Sequence, residues 1–257
     1  MFLRQAKGKF LSPVAMSAIF FKEVVMILRH SLDIRSRIIK IVTIFLFFSI
    51  FLSITTRSDS VVNNEPVKKT LNLQEQVIKA LAATGNTPKD VLRWQEEHPN
   101  SSLRFLEEMP PEEQENVAKL ARHIKKANPK LSSKTVWREA CAFVHYGKKY
   151  GISEDLLVAV ANTESHFNPK AVSKKGAVGV MQVMWDIHAG LLSANGITSK
   201  NLLHDPELGI AAGALLLSRY MRAYGSEHKA LDRYYGKASS KYKSVVNNHL
   251  RTLQDIL

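Results

Sequence analysis

Apolar and polar residues alternate along this chain only in short, scattered runs. A half-buried strand needs that two-residue period, whereas the apolar residues here recur every three to four positions, so the expected fold is all-α. The punctuation agrees. One helix starts near Leu71 and stops near Gly85; a second opens at Thr87-Pro88 and ends at Pro99; a third opens at Pro110-Pro111 and closes at Asn128-Pro129. Glu112 and Glu113 sit in the first turn of the third, where the helix dipole favours acids. Ser132 or Ser133 can cap a fourth helix carrying Val136, Ala140, Phe143 and Val144 and stopping near Gly151. Ser153-Glu154-Asp155 restarts the chain into a helix that ends on Glu164. Asp205-Pro206-Glu207 begins another through Tyr220, and the last two are expected at Lys229–Tyr235 and Lys241–Leu257.

Before these helices lies the most apolar run, Ile38–Thr56, IIKIVTIFLFFSIFLSITT, about long enough to cross a bilayer. Arg29, Arg35 and Arg37 precede it and Lys40 lies at its start, which places the N-terminus in the cytoplasm and the rest outside. No A-x-A-like cleavage site follows, favouring an uncleaved inner-membrane anchor over a signal peptide. The expected organisation is a basic cytoplasmic N-terminus (1–37), a transmembrane anchor (38–56), a tether and helical spacer (57–130) and a catalytic domain (131–257). The spacer carries no readable function, and either a stalk or a contact for a cell-envelope protein partner is open. Net charge is +13, which favours polyanions such as anionic lipid or a wall polymer. Basic clusters interleaved with aromatics and zinc-finger spacings are absent, so nucleic acid is not an expected partner. Cys141, the only cysteine, excludes an intrachain disulfide and a thiolate metal cluster; it reads as a buried thiol, and neither metal nor cofactor is expected.

The chemistry concentrates in Leu156–Gln182, LLVAVANTESHFNPKAVSKKGAVGVMQ. An apolar helix delivers one carboxylate, Glu164, to a Pro- and Gly-punctuated loop. Cleaving a glycosidic bond normally takes two carboxylates. Here Ser165 to Gln182 contains no further acid, and the nearest downstream candidates are Asp186 and Asp232. A lone acid suits a reaction in which the sugar supplies its own nucleophile. Glu164 would need to be protonated near neutral pH, and apolar walls from Leu156–Val160 and Val178–Met181 would raise its pKa.

The order Glu164-Ser165, Asn168-Pro169, Ala171-Val172-Ser173 and Gly176-Ala177-Val178-Gly179-Val180-Met181-Gln182 resembles the Slt-type lytic transglycosylases, whose fold is that of goose-type lysozyme. The resemblance covers about Ser132–Leu257. Tyr234 falls where the family carries the tyrosine of an Ala-Tyr-Asn motif, with Arg233 and Tyr235 replacing its alanine and asparagine. Trp185 and Gly209 stand where proline and asparagine are common. The resemblance implies a peptidoglycan lytic transglycosylase that cleaves the MurNAc-GlcNAc bond without water, giving 1,6-anhydromuramoyl products with Glu164 as acid and base. It implies Ser165 and Gln182 near acetamido groups, Met181 as an apolar floor, Gly176 and Gly179 letting backbone approach sugar, and Tyr234 hydrogen-bonding to Glu164. Tyr235 and His188 join the expected substrate contacts. The alternatives are a lysozyme-like hydrolase using Asp186 or Asp232, and a non-catalytic wall-binding scaffold. Exo or endo action, peptide-stem preference and the process served are not legible.

Overall fold

In a computed structural model the described residues are 71–254. The expected cytoplasmic segment, the anchor at 38–56 and the tether to residue 70 lie outside them. Lys68–Leu257 forms one compact unit. Its described part holds nine α-helices and one short hairpin: α1 (Glu75–Ala83), α2 (Pro88–Glu97), α3 (Pro111–Ala127), α4 (Ser133–Tyr150), α5 (Glu154–Ser165), β1 (Ala177–Val178), β2 (Val183–Met184), α6 (Trp185–Ser193), α7 (Pro206–Tyr224), α8 (Glu227–Tyr235) and α9 (Ser240–Gln254). Single 3-10 turns occupy Ser102–Phe105 and Lys200–His204. Among the described residues no helix is long and apolar enough to cross a membrane.

The local signals behave as their chemistry requires. Thr87 and Asp90 close a reciprocal capping box at the start of α2, satisfying backbone donors that a helix end leaves free. Ser132 takes the amide of Thr135 at the start of α4, and Gly151 ends that helix in the left-handed conformation that costs glycine least. At α7, Asp205 accepts from the amides of Glu207 and Leu208 at 3.0 and 3.1 Å. Two elements were not foreseen. The β1–β2 hairpin pairs only Ala177 with Met184 and Val178 with Val183, too short for any periodicity to register. Helix α6, WDIHAGLLS, buries only Leu192, so it carries no apolar stripe.

Helix α4 is the axis. It packs along α3 on one side and α7 on the other, and Val136, Trp137, Ala140, Cys141 and Phe143 are wholly buried along it. The core continues into α1–α3 through Val77, Leu81, Val91, Leu103, Val117 and Ile124. The helices before residue 131 pack into this same core. Polar contacts fix the same junction. Arg138 of α4 donates from Nε to Glu207 Oε1 at 2.6 Å and from Nη2 to Asp205 Oδ2 at 2.7 Å. Glu207 also accepts from the Ser101 hydroxyl and, at 2.5 Å, from the Ser102 amide. Three segments, α4, Ser101-Ser102 and α7, thus meet on one buried carboxylate.

Candidate active site

Helix α5 is buried along Leu156–Asn162 and emerges only in its last turn, where Glu164 is half-buried. The exit from that turn is abrupt. His166 and Phe167 adopt φ of 52° and 61°, a left-handed pair that non-glycine residues rarely accept. Packing holds them there. The Phe167 ring is fully buried and meets Phe143 and His123 edge-on at 6.2 and 6.0 Å. Asn128, the cap of α3, donates to the His166 carbonyl at 2.8 Å. The helices before residue 131 therefore help to set the turn that follows the acid.

The Glu164 carboxylate accepts one hydrogen bond, from the Tyr242 hydroxyl to Oε1 at 2.7 Å. Burial pushes Glu164 above the ordinary carboxylate range, and the Tyr242 bond draws it partly back. Burial and the neighbouring Glu164 charge push the Tyr242 phenol upward, so it remains a donor. The bond expected from Tyr234 is not made. Tyr234 instead donates to the Met181 carbonyl at 2.7 Å, pinning the hairpin loop to α8. Sequence reasoning missed Tyr242. It lies 78 residues from its partner and shares the α9 face of Val246 and Leu253, so its spacing reads as core. An apolar-face tyrosine, whose hydroxyl needs a buried acceptor, was the one available signal.

The other expected residues gather around the same loop, mostly in bracing contacts. Ser165 donates to the Val180 carbonyl at 2.7 Å and accepts from the Asn168 amide at 3.0 Å. Gln182, with φ of 49°, donates from Nε2 to the carbonyls of Gly179 and Ala171 at 3.1 and 3.3 Å. Met181 is fully buried against α7, where a Cβ added to Gly213 would come within 2.7 Å of its side chain. Gly179 has φ of 79°, and a Cβ there would stand 2.1 Å from the Leu203 carbonyl oxygen. The side that glycine leaves bare is filled by the chain, so sugar approach is not what requires glycine at this position. Gly209, too, faces Leu203 O, at 3.0 Å from an added Cβ.

His188, on α6, is half-buried; burial and then Arg233 hold it below the usual imidazole range. Tyr235 is 44% exposed and its ring stacks on Tyr242, centroids 4.4 Å apart and 17° from parallel. The two alternative acids differ. Asp232 is engaged through both oxygens, accepting from the Ser239 amide at 3.0 Å and from Lys243 at 2.8 Å. Asp186 is exposed in the first turn of α6. Among the described residues no group of three or more His, Cys, Asp or Glu side chains is arranged to hold a metal. Burial drives the Cys141 thiol well above its usual range, matching the inert role expected of it.

A helical body presents a half-buried glutamate at a helix end, over a loop braced by serine and glutamine. Residues 142–248 match the transglycosylase SLT domain. Over 98 residues it is 40% identical to the membrane-bound lytic murein transglycosylase C of Yersinia pestis (strain Pestoides F) and to that of Yersinia pseudotuberculosis serotype O:1b (strain IP 31758). Each alignment covers 36% of this chain and 27% of the relative, so the match spans about a quarter of those proteins. Among solved structures, the soluble lytic transglycosylase SLT70 of Escherichia coli aligns with a TM-score of 0.37 and 20% identity, covering 70% of this chain and 32% of that one.

Proposed function

We propose that this protein is a peptidoglycan lytic transglycosylase acting on the MurNAc-GlcNAc bond, with Glu164 as its single acid and base. The observation that carries the reading is the carboxyl of Glu164, raised by burial and met by one neutral donor, Tyr242. A carboxylic acid in that setting holds its proton toward neutral pH, as a general acid must. In the first step the Glu164 proton passes to the glycosidic oxygen as its bond to the muramoyl C1 breaks. The resulting carboxylate, stabilised by the Tyr242 hydroxyl, then takes the proton of the muramoyl 6-hydroxyl while O6 bonds to C1. The proton is back on Glu164, the product is a 1,6-anhydro sugar, and no water is consumed.

Two observations support this over hydrolysis with a second carboxylate. Asp232 is held on both oxygens, by Lys243 and by the Ser239 amide. Asp186 lies exposed in the first turn of α6. The relatives, membrane-bound lytic murein transglycosylases, support the substrate class and fit an anchor at 38–56 with the catalytic unit outside the cytoplasmic membrane. Ser165, Gly179, Met181, Gln182, His188 and Tyr234 are assigned to shaping the sugar-binding cleft, mostly by bracing its loop.

The test is a muropeptide analysis of isolated sacculi treated with the full-length chain. Anhydromuropeptides are expected from wild type and not from Glu164→Gln. Reducing-end products that disappear in Asp186→Asn would instead establish the hydrolase. Saturable sacculus binding with no product would leave only the scaffold.

A further inference from the structure

Tyr234 and Tyr235 are adjacent at the end of α8 and do different work. Tyr234 turns in to the Met181 carbonyl. Tyr235 turns toward α9, where its ring lies face to face with Tyr242, the residue whose hydroxyl reaches Glu164. We propose that Tyr235 is a positioning residue: its stacked ring restrains the Tyr242 side chain against rotation and so holds the Tyr242 hydroxyl on the Glu164 carboxyl. This deepens the reading of Glu164 as the acid and rests on it.

The argument is geometric. Rotation about the Tyr242 Cα–Cβ bond would sweep the phenol oxygen away from its acceptor, and rotation about Cβ–Cγ, which leaves the oxygen on its axis, would turn the in-plane O–H out of line with it. At 4.4 Å and 17° the Tyr235 ring closes one face of Tyr242, an offset-stacked geometry that aromatic pairs favour. The support of Tyr235 is itself fixed. Asp232, one turn earlier on α8, accepts from Lys243 and from the Ser239 amide, which ties α8 to the start of α9 on the same side as the stack. Lys237 lies with Nζ 6.0 Å from the Tyr235 ring centroid, adding a cation to that outer edge. The titratable groups facing Glu164 are Tyr242 from α9 and Tyr234 from α8; those facing Tyr242 are Glu164, Tyr234 and Tyr235. Of these only Tyr242 donates to Glu164, so whatever steadies Tyr242 sets how well the ionised acid is stabilised.

The experiment compares the full-length wild type with Tyr235→Phe, Tyr235→Asn, Tyr235→Leu and Tyr242→Phe. The first measurement is a carbon-13 NMR titration of the Glu164 carboxyl, assigned with Glu164→Gln. Tyr235→Phe keeps the stack and should titrate as wild type. Tyr235→Asn and Tyr235→Leu should both raise the Glu164 midpoint, in the direction of Tyr242→Phe and by less. The leucine variant retains apolar cover and serves if the asparagine variant does not fold. The second measurement is sacculus turnover against pH. The two ring-less variants should lower kcat several-fold at unchanged KM and move the alkaline limb upward, with phenylalanine restoring both. An unmoved Glu164 midpoint overturns the proposal, as does a loss confined to KM, which would make Tyr235 a substrate contact. A phenylalanine variant as impaired as asparagine also overturns it. A wild type that yields no anhydro product defeats the functional reading alone, since the titration still decides the stack.

Discussion

Two buried carboxylates, Glu207 and Glu164, stand at the ends of different helices and meet opposite treatment. Glu207, in the first turn of α7, is supplied with a guanidinium, a hydroxyl and a backbone amide. Glu164, in the last turn of α5, is given one phenol and a partly open face. A carboxylate with charge-assisted partners on both oxygens is held rigid, and it joins segments. One that is desolvated and met by a single neutral donor is reluctant to ionise, which makes its proton available for transfer. The same functional group becomes a rivet or an acid according to the donors around it. Glu139, on α4, marks the limit of the second case, with both oxygens buried and without a hydrogen-bond partner.

The contrast can be broken most severely at the acid. Glu164→Gln should reduce turnover by about 100- to 10,000-fold, the span of a general acid's contribution, with helical circular dichroism unchanged. At the rivet the damage should be to the fold instead. Arg138→Met leaves Glu207 buried without its cation and should cost about 3–5 kcal/mol of unfolding free energy by denaturant titration. Restoring neutrality with Glu207→Gln in the same chain should recover part of that loss. Tyr242→Phe lies between the two. Removing a bond to a charged group is expected to cost about tenfold in turnover, with the alkaline limb of the pH profile moved upward because ionised Glu164 has lost its donor.

The smallest effect is expected at Glu139. Burial holds its carboxyl well above the ordinary range, so the folded state binds a proton that the unfolded state releases. The associated stability is complete below the ordinary carboxylate range and is lost as pH rises through the folded value. Glu139→Met should flatten that decline and stabilise the protein at neutral and alkaline pH by about 1–3 kcal/mol, read as a higher Tm. A lower Tm for Glu139→Met at every pH would show that the carboxyl has a partner after all.

The helices were legible because their signals are local. Thr87-Pro88, Pro110-Pro111, Ser132 and Asp205-Pro206 each start a helix by satisfying or deleting backbone donors within one turn, and the observed starts follow them. Glu164 was legible as well, since an acid closing an apolar helix before a glycine-punctuated loop stands out in a single window. The packing of residues 71–130 was not legible, for a physical reason. Their apolar faces are visible in the sequence, but which body they pack against is not, and α3 lies along α4.

The sequence by itself determined an all-helical chain, its caps and breaks, and the one carboxylate on which the proposed chemistry turns, because these depend on neighbours within about one helical turn. Only the tertiary structure decided the donor to that carboxylate. Tyr242 rather than Tyr234 reaches Glu164, Tyr235 stacks behind it, and Gly179 is required by the Leu203 carbonyl. These contacts join residues 24 to 78 positions apart, except for the Tyr235–Tyr242 stack across the α8–α9 turn. They follow from how α5, α8 and α9 lie against one another, which no local window encodes.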